Sequence, residues 1–299
     1  MLGYMVSMPF THSILAVLVA FVWGLSFIVI KVGVSTTPPL VLCALRFIFA
    51  ALPAILFIPR PKIGWRFIVG YGFLIGVAQF GLLFTAIALG MPASLASIVI
   101  QAQVFFTILF AALTMGERPR PNQIAGGIVA CLGLIMIAWP RFSGGGAVPF
   151  LMTIAAAAAW GVANIVSKRA GRIDMLGFVV WASLVPPIPL LALSLWIDGP
   201  AQVSAAILGL NAAALAAVVY LAYPTTIFAF AMWAYLLSRH AAATVTPFAL
   251  LVPVAGILGS IFFLGEAMIP IEALGGAVIV LGLTINVFGN RLLLSLRPS

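Results

Sequence analysis

The sequence predicts an all-α integral membrane protein of ten transmembrane helices, arranged as two inverted five-helix repeats. Its composition, a duplicated set of motifs and the number of apolar runs together support this fold class. Hydrophobic residues make up 65% of the 299 residues and charged residues only 6%, whereas a soluble domain has about 25% charged residues. No soluble fold of this length would bury so much apolar surface, so lipid must surround most of the chain.

Two groups of motifs occur twice. The first group is a Trp-Gly pair with a lysine eight positions after the tryptophan, at Trp23, Gly24 and Lys31 and again at Trp160, Gly161 and Lys168. The second combines Gly-Glu, proline and three glycines at identical spacing, at Gly116, Glu117, Pro121, Gly126, Gly127 and Gly133 and again at Gly265, Glu266, Pro270, Gly275, Gly276 and Gly282. Each copy carries five apolar runs, and an odd number of spans inserts the second copy upside down. Inverted repeats are typical of secondary transporters, whose substrate sites lie where the repeats meet.

Apolar runs of about 20 residues locate the helices in chain order. The predicted helices cover residues 12–32, 39–58, 65–89, 93–115, 122–139, 148–168, 175–196, 210–237, 241–264 and 271–290. We expect the first repeat at 8–140, a glycine-rich linker at 141–147 and the second repeat at 148–291. The offset between the copies rises from 137 to 149 positions, so we expect the loop at 198–211 to hold the extra residues.

The net charge of +9 does not indicate nucleic-acid binding, because the basic residues are few and lie in short loops. With the N-terminus in the cytoplasm, the basic residues on the inner side are Arg60, Lys62, Arg66, Arg118, Arg120, Lys168, Arg169, Arg172, Arg239, Arg291 and Arg297. The outer side then carries only Lys31 and Arg141. Since cytoplasmic loops are enriched in lysine and arginine, we predict a plasma (inner) membrane protein with both termini cytoplasmic.

The distribution of reactive side chains argues against an enzyme. The two aspartates fall in predicted loops and the three glutamates at helix ends, so the spans offer no mid-membrane carboxylate for a proton relay or an aspartyl protease. His12 and His240 are expected to lie far apart without acidic partners, which disfavours a zinc site or a catalytic triad. No glycine-rich phosphate loop is present. We therefore predict no enzyme activity, no cofactor and no metal.

Two five-helix halves, a Trp-Gly pair in each first helix and a Gly-Glu pair after each fourth helix resemble the drug/metabolite transporter superfamily. Within it the chain is most similar to EamA-type transporters, and among those to the YddG-type amino-acid and metabolite exporters. The resemblance covers nearly the whole chain. It implies a central cavity lined by the first, third, fourth, sixth, eighth and ninth helices. The family usually has a proline thirteen residues before each glutamate; Pro253 keeps it, but Val104 replaces it beside Gln101 and Gln103.

Polar and aromatic side chains inside these helices are the candidate substrate contacts. They are Trp23, Gln79, Gln101, Gln103, Trp160, Asn164, Tyr220, Tyr223 and Thr246. Unpaired amides in hydrocarbon are costly, so these groups should face protein or water. The alternatives are hydrogen bonding between helices for the polar residues and tight helix packing for the two tryptophans.

Three prolines are candidate hinges, namely Pro224, Pro247 and Pro253. Proline removes a backbone donor and frees a carbonyl, and such breaks are tolerated where protein or a wet cavity satisfies the freed groups. A static kink is the alternative. Arg46 is the one basic residue deep in a span. It would suit a carboxylate, but the family places the second helix away from the cavity, so a structural role is favoured.

The sequence therefore predicts a transporter that exports small metabolites by alternating access, without an obvious intramembrane proton carrier. Neutral or aromatic amino acids are the favoured substrates. Drug or nucleotide-sugar and phosphate-ester transport within the same superfamily remain alternatives, and a lipid flippase is a weaker one. The expected partners are a small-molecule substrate and the lipid bilayer, with no nucleic acid. Both a monomer and a homodimer are compatible with the sequence.

Overall fold

The computed structural model describes residues 8–171, 173–240 and 242–295. Within these residues, ten helices are long and apolar enough to cross a membrane. They are α1 (Phe10–Val34), α2 (Pro39–Leu56), α3 (Trp65–Ala88), α4 (Ala93–Met115), α5 (Pro121–Ser143), α6 (Ala147–Arg169), α7 (Met175–Ile197), α8 (Ala212–Arg239), α9 (Thr246–Leu264) and α10 (Pro270–Ser295). The predicted fold class is confirmed. Arg172 and Arg297, two of the basic residues assigned to the inner side, lie outside the described residues.

Irregular turns interrupt equivalent helices of the two repeats. A π-helical segment lies in α3 at Phe73–Phe80 and another in α8 at Leu221–Phe228. A short 3₁₀ segment interrupts α4 at Ile100–Ala102, and another forms the start of α9 at Thr246–Leu250. Turns of this kind inside longer helices often mark functional sites. The paired positions indicate that the irregularity belongs to the repeat itself.

The candidate hinge prolines relate to these segments in different ways. Pro224 lies inside the π segment of α8, although α3 forms its π segment without a proline. Pro247 lies in the 3₁₀ segment of α9. Pro253 falls in the first turn of the following α-helix, Leu251–Leu264, where backbone N–H groups have no helical partner to lose. Their role as hinges stays a prediction.

The connection between α7 and α8 differs from the predicted loop, because it contains a short helix at Pro200–Leu208. Gly199, with φ of +83°, and Pro200 at the first helical position begin this helix, and proline there is already set to the helical φ. Val203 is buried against the core, whereas Leu208 is exposed. Glycine and proline at the ends of the segment suggested a loop and hid this short amphipathic pattern.

The glycine of each Trp-Gly pair brings the two halves into backbone contact. A Cβ atom at Gly24 would lie 2.5 Å from Ala255 Cβ and 2.6 Å from the Val252 carbonyl oxygen. One at Gly161 would lie 2.8 Å from Phe106 Cβ. The first helix of each repeat therefore packs against the fourth helix of the other repeat, α1 on α9 and α6 on α4. Small residues allow this approach in membranes.

The repeated glycines of α5 and α10 contact each other reciprocally. A Cβ at Gly126 would lie 2.5 Å from the carbonyl oxygen of Gly282, and one at Gly282 would lie 2.6 Å from that of Gly126. Gly133 and Gly275 form the second pair, with corresponding distances of 2.6 and 2.8 Å. The two helices thus pack with their backbones in contact, and this glycine face is used within one chain.

Replacement of Gly126 by alanine should destabilise the protein, because the new methyl group would collide with the Gly282 carbonyl. We expect the free energy of unfolding to fall by about 1–3 kcal/mol, as for other overpacked sites. Gly127→Ala is the matched control, since its nearest neighbour, Phe105 Cδ1, would lie at an ordinary 3.5 Å. Thermal unfolding in detergent measures both variants. Equal unfolding temperatures for the two variants would contradict this packing.

Candidate functional site

Trp23 joins α1 to the π segment of α8. Its indole N–H donates to the Thr225 carbonyl oxygen at 3.2 Å, and its ring lies 5.4 Å from Phe230 and 5.3 Å from Trp233, centroid to centroid. A π segment shifts the backbone hydrogen-bond pattern, and Trp23 supplies a donor to a carbonyl there. Trp23 therefore forms an aromatic wall and also holds the irregular part of α8.

Tyr220 makes a second connection between these helices. Its hydroxyl donates to the Val22 carbonyl oxygen at 3.0 Å. Tyr220 itself lies one residue before the π segment begins. Tyr223, within that segment, is 38% exposed. Of the two tyrosines predicted to bind substrate, one is thus engaged in helix packing and the other has an accessible ring.

Trp160, the counterpart of Trp23 in the second repeat, has a different environment. Its ring is half-buried and packs against the main core and against the smaller core between α3, α6 and α7. Among the described residues its indole N–H has no hydrogen-bond partner, in contrast to that of Trp23. The two tryptophans of the repeated motif therefore differ in hydrogen bonding within the described part of the chain.

A polar cluster connects α4 with α6. The Asn164 amide nitrogen donates to Gln103 Oε1 and to Thr107 Oγ1, each at 2.9 Å, and the Thr107 hydroxyl donates to the Gln103 carbonyl oxygen at 2.7 Å. The sequence predicted both Gln103 and Asn164 but not Thr107, which is spaced four residues from Gln103 on the same helix face. We call Gln103, Thr107 and Asn164 the α4–α6 polar cluster.

The α4–α6 polar cluster has no counterpart in the other half of the chain. The equivalent positions between α9 and α1 are occupied by Val252, Gly256 and Phe27. The two halves share their backbone packing but differ in polarity at this contact.

The remaining predicted polar residues are dispersed. Gln79 in α3 is 1% exposed, and its Nε2 has no hydrogen-bond acceptor among the described residues. Gln101 is also buried, in the 3₁₀ segment of α4. Thr246 is exposed at the start of α9. The structure therefore does not bring all nine predicted residues into one pocket.

A cavity that sequence reasoning missed lies between α2, α3, α7 and α8. Its lining includes Arg46, Phe47, Tyr71, Ser183, Thr226 and Phe230. Arg46 is 1% exposed. Two of its four helices, α2 and α7, lie outside the set that the family resemblance assigns to the central cavity. The signal in the sequence was the single cation deep in an apolar run, which was interpreted as structural.

The two histidines meet, so the expectation that they lie far apart was wrong. His12 Nδ1 is 2.6 Å from His240 Nε2, and the Tyr235 hydroxyl is 3.5 Å from His12 Nε2. The contact joins the start of α1 to the residue after α8, which are 228 positions apart in the chain. Within the described residues no group of three or more possible ligands could hold a metal ion.

The repeated Gly-Glu pairs end α4 and α9. Gly116 and Gly265 adopt positive φ values of +69° and +63°, the left-handed conformation that often ends a helix. Glu266 then accepts hydrogen bonds from the backbone N–H groups of Ala93 and Ser94, at 2.9 and 3.0 Å. It thus caps α4, where the helix dipole favours an anion.

At the other end of the bundle, Glu117 pairs with Lys168, and both side chains are nearly half exposed. Lys31, the counterpart of Lys168, instead donates to the Ile87 carbonyl oxygen at 3.3 Å. The same motif therefore makes different contacts at the two ends of the bundle.

Ten spans in two inverted repeats, with polar groups between the halves and no catalytic constellation among the described residues, define a membrane transporter. The EamA-like transporter family matches residues 11–139 and 148–288, so the chain belongs to that family. Ten apolar helices and the relatives described next support a multi-pass protein of the inner membrane.

Two curated relatives cover nearly the whole chain. A probable amino-acid metabolite efflux pump of Escherichia coli strain K12 is 41% identical over 93% of this chain and 95% of its own. A protein of the same description from Salmonella typhimurium is 39% identical over 95% and 97%. One crystal structure superimposes with a TM-score of 0.64 at 23% identity, covering 97% of this chain and 99% of that chain. That structural likeness supports the fold alone.

A double-mutant cycle on Gln103 and Asn164 should reveal coupling between α4 and α6. We expect Gln103→Leu and Asn164→Leu each to lower the free energy of unfolding, with an interaction term of about 0.6 kcal/mol and at most about 1.7 kcal/mol, as for hydrogen bonds between membrane helices. Unfolding in mixed detergent gives the four free energies. Strictly additive effects would show that this hydrogen bond contributes nothing to stability.

Proposed function

We propose that this transporter exports neutral amino acids, with aromatic and other apolar side chains preferred. The observation that carries the proposal is the pair of relatives, about two-fifths identical over nearly their whole length, that are described as probable amino-acid metabolite efflux pumps. The sequence identity extends over both repeats. It therefore includes the helices that form the contact between the halves.

The geometry between the halves supports this substrate class. The α4–α6 polar cluster offers amide and hydroxyl groups at one contact between the halves. Trp23, Phe230 and Trp233 offer aromatic walls at another, between α1 and α8. A neutral amino acid has a polar end and an apolar side chain and suits such a combination. Gln101 and Trp160 belong to the proposed site as well. Gln79, Tyr223 and Thr246 stay predictions, because the structure does not bring them to the same pocket.

We further propose facilitated transport, with both termini in the cytoplasm, driven by the substrate gradient through alternating access. Every acidic residue lies at a helix end: Asp174 caps the start of α7, Asp198 follows α7, and the three glutamates flank α4, α9 and α10. Proton relays are usually carboxylates or histidines inside the spans.

The oligomeric state that we propose is a monomer. The glycine face of α5 and the glycine face of α10 contact each other within one chain, so neither is free to bind a second copy.

Counterflow in liposomes tests the function directly. Purified protein in liposomes loaded with unlabelled phenylalanine should accumulate labelled phenylalanine, leucine or methionine from outside, with saturation, at equal pH on both sides. Protein-free liposomes are the control. Absence of flux for every amino acid would contradict the proposed substrate class and leave the drug, nucleotide-sugar and lipid alternatives.

The same liposomes test the coupling, by a pH gradient imposed without a substrate gradient. We expect no net movement of labelled phenylalanine, because every aspartate and glutamate lies at a helix end and none lies at the middle of a span to carry the proton. Net uptake that reverses when the pH gradient is reversed would show proton coupling.

Two substitutions test the position of the site. Trp160→Ala and Gln101→Ala should reduce counterflow to background while the protein still folds and inserts, because both remove ligand contacts between the halves. Trp196→Ala is the matched control, since that tryptophan is 83% exposed at the end of α7 and should keep the wild-type rate. Wild-type flux in both site variants would show that the site lies elsewhere.

A further inference from the structure

The cation of Arg46 has no counter-ion among the residues that the structure describes. An arginine side chain remains protonated in proteins, and a charge at the centre of a membrane costs at least about 2.5–3.5 kcal/mol. Arg46 is 1% exposed. The salt bridges of the described residues are Arg141–Glu272 and Lys168–Glu117, so Arg46 takes part in neither.

The acidic residues of the chain are also engaged elsewhere, and all five belong to the described part. Glu117 and Glu272 form the two ion pairs, and Glu266 caps α4. Asp174 accepts from the backbone N–H groups that begin α7, and Asp198 accepts from the Ser194 hydroxyl at 2.6 Å. Among the described residues, no aspartate or glutamate is left to neutralise Arg46.

The contacts that Arg46 does make leave one of its nitrogens unsatisfied. Its Cζ lies 3.7 Å from the centroid of Phe80 and 5.1 Å from that of Phe47, so two rings partly compensate the charge. Its Nη2 and Nε donate to Thr226 Oγ1 at 3.2 and 3.4 Å. Within the described residues Nη1 has no acceptor. A buried cation with a free donor requires an acceptor, which an anion would supply.

The helices around this cation are interrupted where they meet the cavity. The π segment of α3 contributes Ile75, Gly76 and Phe80, and that of α8 contributes Thr226. The first α-helical part of α7 ends at Ala182, and the second begins at Pro187. Between them lie Ser183 and Pro186, which also line the cavity. Discontinuous helices commonly form the ligand sites of secondary transporters.

We propose that this cavity is a binding site for one monovalent anion, held by Arg46 between α2, α3, α7 and α8. Two sources share the chemistry: the carboxylate of a transported amino acid, an assignment that rests on the proposed function, and dissolved chloride, which does not. The site is separate from the α4–α6 polar cluster. Arg46 would supply the positive charge that recognises an anion, a charge that the α4–α6 polar cluster lacks.

Thermal unfolding of the purified full-length protein tests the site without transport. The protein is titrated with chloride, or with phenylpropionate, against sulfate at constant ionic strength, because a divalent anion does not match the single charge of Arg46. A ligand that binds only the folded state raises the unfolding temperature in a saturable way, and we expect a rise of a few degrees with at least one of the two anions. Phenethylamine, which lacks a carboxylate, should give none. No saturable effect of either anion on the wild type would overturn the proposal.

Variants connect the effect to the guanidinium. Arg46→Gln should weaken the apparent affinity for the anion at least about tenfold, the scale of a lost charge-assisted hydrogen bond. Arg66→Gln is the matched control, an exposed arginine 4.8 Å from the ring of Phe67, and should keep wild-type affinity. Where Arg46→Gln does not fold, Arg46→Lys and Thr226→Val replace it, and both should weaken anion binding. Unchanged affinity in folded Arg46 variants would contradict the assignment.

Counterflow then distinguishes the two sources. With the carboxylate as ligand, phenylpropionate competes with phenylalanine, phenethylamine does not, and replacement of chloride by sulfate leaves the flux unchanged. With chloride as ligand, the flux depends on chloride and phenylpropionate does not compete. Equal competition by phenylpropionate and phenethylamine, without chloride dependence, would overturn the anion site while leaving amino-acid transport intact. Failure of the proposed function would instead appear as absence of amino-acid flux with anion stabilisation still present.

Discussion

Backbone contact between the two halves is the constraint on which the rest of the structure depends. It occurs at glycines in three places: α1 on α9, α6 on α4, and α5 on α10. In a membrane there is no hydrophobic drive between helices, so association depends on close van der Waals packing and a few hydrogen bonds. A single methyl group at Gly24 or Gly126 would force these helices apart. Every side chain between the halves is positioned by these contacts.

Function is expected where the symmetry of the repeats fails. The backbone motifs are equivalent, but the side chains are not. The positions of Gln103, Thr107 and Asn164 correspond in the other repeat to Val252, Gly256 and Phe27. Trp23 is fixed to α8 by a hydrogen bond, whereas the Trp160 N–H finds no acceptor among the described residues. Arg46 in α2 corresponds to Ser183 in α7, and both line one cavity. Duplicated backbone thus provides two matching surfaces, and unmatched side chains give them separate roles.

The fold followed from sequence because length and hydropathy suffice to place a membrane helix. The repeated glycines that the motif spacing picks out are the ones at which α5 and α10 make contact. What the sequence could not provide were the partners of each side chain. The contacts of His12 with His240 and of Asn164 with Gln103 join residues 228 and 61 positions apart and depend on how each helix is rotated and tilted. The π segments were also hidden, because α3 forms one with no proline to signal it.

The repeated glutamates give the two surfaces of the protein different sensitivities to salt. Glu266 is held by backbone N–H groups and the Ser94 hydroxyl at the start of α4, a short-range contact that dissolved ions screen little. Glu117 and Lys168 form an exposed pair, and exposed charges are screened on a scale of about 8 Å at physiological ionic strength. A change in the salt of one compartment therefore acts on the Glu117 surface and leaves the Glu266 surface nearly unaffected.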